Sequence, residues 1–109
     1  GVPPAFDITL LGLGADGHTA SLFPETNSLT VVDKWTTTSK SGQYERITLT
    51  APVLSASNRI MFLVCGASKQ VALKRLLNPL ESSYRTPAKL VQPDSDILVL
   101  ADEEASKLL

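Results

Sequence analysis

The 109-residue chain is poor in the residues from which many sites are built, with one cysteine, one histidine, one tryptophan and two tyrosines. With Cys65 alone, no internal disulfide can form, and its place at the end of Ile60-Met61-Phe62-Leu63-Val64-Cys65 predicts a buried, reduced thiol in a cytoplasmic protein. With His18 alone and no clustered carboxylates, no metal-binding set of usual spacing can be assembled, so metal-independent chemistry is expected. Charge of neither sign dominates: ten Lys and Arg against eleven Asp and Glu leave a net charge of −1. That balance lacks the basic excess that nucleic acid or an anionic membrane surface demands. No apolar run nears the roughly 20 residues of a membrane span. The opening Gly-Val-Pro-Pro has neither a signal pattern nor an initiator Met, which points to a piece of a longer protein. Trp35, Tyr44 and Tyr84 stand in irregular contexts and are assigned packing or surface positions, with no stacking role.

What is present is enough for one core, with 43% apolar residues. Phe6 to Gly12, Arg46 to Thr50, Ile60 to Cys65 and Asp96 to Ala101 read as strands. Thr19 to Phe23 has room for one or two helical turns before Pro24, and Asn27 to Thr38 reads as strand and loop. Ser39 to Gln43 reads as an exposed connection, and Pro52 opens a short helix or turn. After Gly66, the apolar positions Val71, Ala72, Leu73, Leu76 and Leu77 recur at helical spacing, placing Lys69 near a helix N-terminus. Asn78 to Pro93, with three prolines, should be loop with a short turn around Ala88 to Leu90, and Glu103 begins a last helix. Strands alternating with helices imply an α/β fold of Rossmann type, three layers with a mostly parallel sheet covered on both faces. Arg46 to Thr50 is expected to be antiparallel because its links are short.

Gly12-Leu13-Gly14-Ala15-Asp16-Gly17 matches G-x-G-x-x-G after a strand, and Asp33 follows 21 residues beyond Gly12. A dinucleotide site would need those glycines to open a full crossover helix. Pro24, seven residues past Gly17, stands against one, since a proline inside a helix costs about 3 kcal/mol. The other reading makes the turn the mouth of a strand, where glycines let backbone approach a ligand and project Asp16 and His18 outward. A carboxylate two residues from an imidazole can steer it and favour its protonated form. The bland reading of the same spacing is a side-chain turn or helix cap at Asp16 with an ordinary surface His18.

Phe6-Asp7-Ile8-Thr9-Leu10-Leu11-Gly12-Leu13-Gly14-Ala15-Asp16-Gly17-His18-Thr19-Ala20-Ser21-Leu22-Phe23-Pro24 resembles the signature of the 6-phosphogluconolactonases. Three further stretches agree in order: Arg46 to Leu54, the strand-Gly66-Ala67-Ser68-Lys69-helix unit, and Leu90-Val91-Gln92-Pro93 before the last strand. The resemblance covers nearly the whole chain and corresponds to the C-terminal half of a family roughly twice this length. It implies hydrolysis of 6-phospho-glucono-1,5-lactone to 6-phosphogluconate in the oxidative pentose phosphate pathway, with no cofactor and a small sugar phosphate as partner. It implies His18 as general base with Asp16 orienting it, and Gly14, Gly17, Lys69 and Arg46 as substrate-binding residues. Backbone N–H groups of the glycine turn are candidates for stabilising the oxyanion. For Arg46 a pairing with Glu45 or Asp33 is an equal alternative. The related glucosamine-6-phosphate deaminases carry a catalytic Glu five residues after the corresponding His, and here that position is Phe23. The rivals are a non-catalytic sugar-phosphate-binding fragment, because the family's N-terminal phosphate loop is missing, and a dinucleotide-binding module.

Overall fold

The computed structural model describes residues 2–109. Its strands are β1 (Ile8–Gly12), β2 (Thr36–Ser41), β3 (Tyr44–Leu49), β4 (Arg59–Val64) and β5 (Ile97–Ala101). Its helices are α1 (Ala51–Ser55) and α2 (Gln70–Leu77), with 3-10 turns at Asn27–Thr30, Ala67–Lys69 and Pro87–Leu90. The apolar runs of β1, β4 and β5 form a parallel sheet in the order β1-β4-β5, with Leu11 opposite Phe62 and Phe62 opposite Val99. Because side chains alternate across a strand, this register puts Leu11, Ile60, Phe62, Val64 and Val99 on one face. That face meets Leu54 of α1, Ala72 and Leu73 of α2, and Leu22, Leu29, Ala88, Val91 and Ala105 from the connections, forming the core.

Only one of the two expected covering layers lies in this chain. On the opposite face Ile8, Leu10, Leu63, Leu98 and Leu100 remain exposed. The antiparallel strand expected at Arg46 to Thr50 is β3, and its partner is β2 in a separate two-stranded sheet. Ser39 to Gln43 is therefore not a loop throughout: Ser39 to Ser41 finish β2, and the turn is the Gly42-Gln43 pair, with Gly42 at φ +61°.

Three other expectations change. Thr19 to Phe23 is not helical: Ala20 takes a left-handed φ of +50°, and Thr19 bridges Leu22. The Thr19 hydroxyl donates to the Gly12 carbonyl at 2.8 Å, folding the segment back on β1. Glu103 to Leu109 forms successive turns closed by Ser106 N–H to Glu103 and Leu109 N–H to Ser106, a three-residue spacing that does not propagate an α-helix. Cys65, just past β4, is exposed. No described helix is long and apolar enough to cross a membrane.

Phe62 is the largest fully buried side chain and sits at the middle of the central strand. Truncation leaves a cavity that a three-stranded sheet pinned on both sides cannot close. Phe62→Ala should cost about 3–5 kcal/mol in urea denaturation, whereas Leu80→Ala, at a position 91% exposed, should leave the midpoint unchanged.

Candidate functional site

The C-terminal ends of the parallel strands lie at one edge of the sheet, and each sends a polar side chain into the loops there. β1 ends at Gly12 and leads into a compact turn. Gly17 N–H donates to the Gly14 carbonyl at 2.9 Å, and Gly14 N–H donates to the His18 carbonyl at 2.8 Å. Both N–H groups are thereby used inside the turn, so these two do not supply the oxyanion donors expected of the glycines. At both glycines the missing Cβ also leaves room for packing. A Cβ on Gly14 would collide with the imidazole of His18 and stand 2.8 Å from Asp16 Oδ1. Gly17 has φ +90°, and a Cβ there would meet the Cα and Cγ2 of Thr86 at 3.1 Å. Ala88 N–H also donates to the Gly17 carbonyl at 3.1 Å, so the loop 86–88 backs the turn.

Asp16 and His18 form the pair that their spacing allowed. Asp16 Oδ1 lies 2.5 Å from His18 Nδ1 and accepts His18 N–H at 3.0 Å. An ionised carboxylate only accepts, so Nδ1 carries the hydrogen of this contact, and in the neutral imidazole the lone pair is then on Nε2. Burial pushes the Asp16 carboxyl up, but hydrogen bonds from the His18 backbone and ring, with the His18 charge, outweigh it and hold the group below its ordinary 3.8. The ring of Phe23 lies against the imidazole, with centroids 4.7 Å apart and planes at 41°. Sequence reading marked Phe23 only as the place of a missing carboxylate; here it is a wall for His18.

β4 leads through Gly66, at φ +98°, into the 3-10 turn that ends at Lys69, the N-cap position of α2. Lys69 lines a cleft of about 400 Å³ together with Gly12, Leu13, Gly14, His18, Thr19 and Ala20. Among the described residues Lys69 forms no ion pair. The expected combination of His18, Gly14 and Lys69 is thus brought together, with Asp16 behind the histidine. Gly17 lies outside the cleft lining. Arg46 also lies outside it, exposed on β3 opposite Ser39, and makes no ion pair with Glu45 or Asp33 among the described residues. Its hairpin still touches the site, since Thr48 Oγ1 accepts Ser21 N–H at 3.1 Å.

One residue that sequence reading missed is Asp102, just past β5. Its carboxylate accepts Ala105 N–H at 2.9 Å and Gly66 N–H at 3.1 Å. These two hydrogen bonds hold its carboxyl below 3.8 and tie the exit of β5 to the loop that carries Lys69. No spacing motif signals a residue 36 positions from its partner. A larger cavity of about 590 Å³ lies at the opposite end of the sheet, by Leu76, Val91 and Ile97, without the histidine or Lys69. The smaller cleft is the candidate site on chemical grounds: a base with one free ring nitrogen and a cation at a helix start share its walls.

An α/β chain with its polar groups at the carboxyl edge of a parallel sheet, an Asp-held His after the first strand and a Lys after the second, matches one family model along almost its full length. That model, described as "Glucosamine-6-phosphate isomerases/6-phosphogluconolactonase", covers residues 1–100, and the chain belongs to this family. It is 44% identical over 106 residues to a 6-phosphogluconolactonase of Synechocystis sp., covering 97% of this chain and 44% of that protein. The chain therefore spans less than half the length of that curated relative. The 6-phosphogluconolactonase structure from Leishmania guyanensis superposes with a TM-score of 0.83 at 26% identity, over 95% of this chain and 42% of that one. A monomeric glucosamine-6-phosphate deaminase superposes at 0.77 with 28% identity, over 94% of this chain and 48% of that one.

Two outcomes test the geometry. Gly14→Ala should expel the His18 ring from its place, seen as loss of the Asp16-dependent ring-proton shift by NMR and a stability loss of about 1–3 kcal/mol. Asp16 binds a proton less readily in the folded chain than in the unfolded one. Its stabilising contribution is complete above its unfolded value of 3.8 and is lost as pH falls through the lower folded value. Asp16→Asn should therefore be less stable than the parent above about pH 4 and converge toward it in more acid solution, measured as Tm against pH.

Proposed function

We propose that this chain carries the catalytic base of a 6-phosphogluconolactonase, hydrolysing 6-phospho-glucono-1,5-lactone to 6-phosphogluconate in the oxidative pentose phosphate pathway. The observation that carries the reading is the placement of His18 and Lys69 on one cleft, with Asp16 fixing the histidine's tautomer. In this reading Nε2 takes a proton from water, the resulting hydroxide adds to the lactone C1 carbonyl, and the tetrahedral intermediate breaks its bond to the ring oxygen. The imidazolium, steadied by Asp16, returns the proton to that oxygen. The step adds water and changes no oxidation state, so it consumes no redox cofactor. Lys69, beside the N-terminus of α2, offers a charge and a favourable dipole to the phosphate. Gly14 gives the His18 ring its space at the cleft. Arg46 is a secondary candidate that would have to swing from the hairpin to touch substrate. A cytoplasmic setting belongs to the same reading and fits the single cysteine.

Deamination is the second reading the family offers. Phe23 stands where the deaminases resembled here carry a proton-handling Glu, and its ring packs on His18, which favours lactone hydrolysis. Dinucleotide binding finds less support: no helix opens at Gly14 to Gly17, and Asp33 is an exposed loop residue.

The test is an amide NMR titration with 6-phosphogluconate, using NAD as control. Saturable shifts should gather in Gly12 to Ala20 and Gly66 to Lys69, weaken at least about tenfold in Lys69→Ala, matching the loss of a charge-assisted contact, and be absent with NAD. Shifts with NAD alone would sink the proposal. In the complete enzyme His18→Ala should lower kcat by roughly 10²–10⁴-fold.

A further inference from the structure

Packing does not hold the turn that carries Lys69. None of Ala67, Ser68 and Lys69 is buried, and a Cβ on Gly66, at φ +98°, would touch nothing within 4 Å. Glycine also has more backbone freedom to lose than any other residue. Hydrogen bonds hold the segment instead. Gly66 N–H donates to both carboxylate oxygens of Asp102 at 3.1 Å, and the Gly66 carbonyl accepts Lys69 N–H at 3.1 Å. Two linked peptide hydrogen bonds therefore join Asp102 to the backbone of Lys69. One residue further on, Gln70 Nε2 donates to the Glu104 carbonyl at 2.9 Å, a second tie between the same two loops. We infer that Asp102 is a positioning residue for substrate, anchoring the turn from Gly66 to Lys69 so that the Lys69 ammonium is presented to the phosphate in the cleft. The inference rests on the reading that Lys69 takes the phosphate.

Asp102 can anchor a loop because it is itself fixed. Its N–H donates to the Val64 carbonyl at 3.1 Å, its carbonyl accepts Ser106 Oγ at 2.8 Å, and Oδ1 accepts the N–H of Ala105, a core residue, at 2.9 Å. Hydrogen bonds from Ala105 and Gly66 hold the carboxyl below its ordinary 3.8, so at neutral pH it is ionised and only accepts. Such a group can act on a bound phosphate in two ways, and they differ in sign. By charge alone, a carboxylate near a dianion repels it, so removing the carboxylate tightens binding. As an acceptor that keeps Lys69 in place, its removal weakens binding. The geometry favours the second, because the oxygens face N–H groups and Asp102 is not among the residues lining the cleft. The residues around the His18 ring, Gly14, Asp16 and Phe23, all belong to the loop after β1, so the effect of Asp102 falls on binding rather than on the chemical step.

The experiment measures Kd for 6-phosphogluconate by calorimetry, with kcat and KM for the lactone, in the complete enzyme. Asp102→Ala should weaken binding about fivefold, on the scale of one hydrogen bond. KM should rise alike while kcat stays within about twofold, the pattern of a lost binding contact. Asp102→Asn should restore most of the affinity, because Oδ1 alone already accepts both N–H groups. In the Lys69→Ala background Asp102→Ala should change Kd by less than about twofold, as expected when one residue acts through the other. Gln70→Ala cuts only the second tie and should weaken binding in the same direction, which keeps the test decisive should Asp102→Ala fold poorly. Glu103→Ala removes an exposed neighbouring charge and should leave Kd unchanged. Tighter binding in both Asp102 variants, equal loss in Asp102→Asn and Asp102→Ala, or an additive loss in the Lys69→Ala background would each overturn the inference. Lys69→Ala binding as tightly as the parent would remove the phosphate contact of the proposed function and the inference with it. An affinity that depends on Lys69 but ignores both Asp102→Ala and Gln70→Ala would overturn the inference alone.

Discussion

The contact between the His18 imidazole and the bare Cα of Gly14 is the constraint on which the site is built. The ring can lie there only because position 14 has no side chain, and it stays there because Asp16 holds Nδ1 and Phe23 closes the other side. The same turn spends its own N–H groups to hold its shape, Gly14 to His18 and Gly17 to Gly14. Thr86 fills the space a Gly17 side chain would need, so a segment nearly seventy residues away in sequence backs the turn that carries His18. A histidine two residues from an aspartate is commonplace; what directs this one is that Gly14, Asp16 and Phe23 each hold one side of the ring and leave the cleft side open.

Parallel strand direction then does for the site what no local motif does. With all three strands running the same way, their carboxyl ends emerge together, as ligand-binding edges of open α/β sheets do. β1 delivers His18, β4 delivers Lys69, and β5 delivers Asp102, whose carboxylate grips the Gly66 loop. The carboxylate's two hydrogen bonds make the position of Lys69 depend on a strand that holds no candidate residue in the cleft. Ala20 adds a local cost: a non-glycine residue at φ +50° is disfavoured by about 1–2 kcal/mol, and it persists at the cleft wall because Thr19 is bonded to Gly12 and Leu22 is fully buried beside it.

Where hydrophobic burial drives the structure, the sequence was legible. The runs in β1, β4 and β5 and the helical spacing after Gly66 are apolar patterns, and they became the sheet and α2. Where hydroxyl groups do the packing, it was not. The end of β2, Ser39 to Ser41, reads as a polar connection because its buried residue is Ser39, which joins Ser28 by a hydrogen bond of 3.4 Å, and β3 meets the site loop through Thr48. Hydropathy sees neither. Thr19 to Phe23 has helix-compatible residues, but the hydrogen bond to Gly12 overrides them, and a residue such as Asp102 becomes meaningful only once the strand order places it beside Gly66. Cys65 misled for a simpler reason: it ends an apolar run one residue past the strand, beyond the point where alternation guarantees burial.

These observations divide the requirements of catalysis in two. Orientation of His18, the proposed base, is set by contacts wholly inside this chain, through Gly14, Asp16, Phe23 and the loop 86–88. Exclusion of water is not, because the His18 and Asp16 side chains remain one-third and one-half exposed. Charge stabilisation is strong only where water is kept out: two charges 4 Å apart interact by about 1 kcal/mol in water but by about 4 kcal/mol in surroundings with an effective dielectric of 20. If His18 is the base proposed above, it is aligned in an open cleft, with the geometry the reading needs but without the water-excluding environment that would give that geometry its full effect.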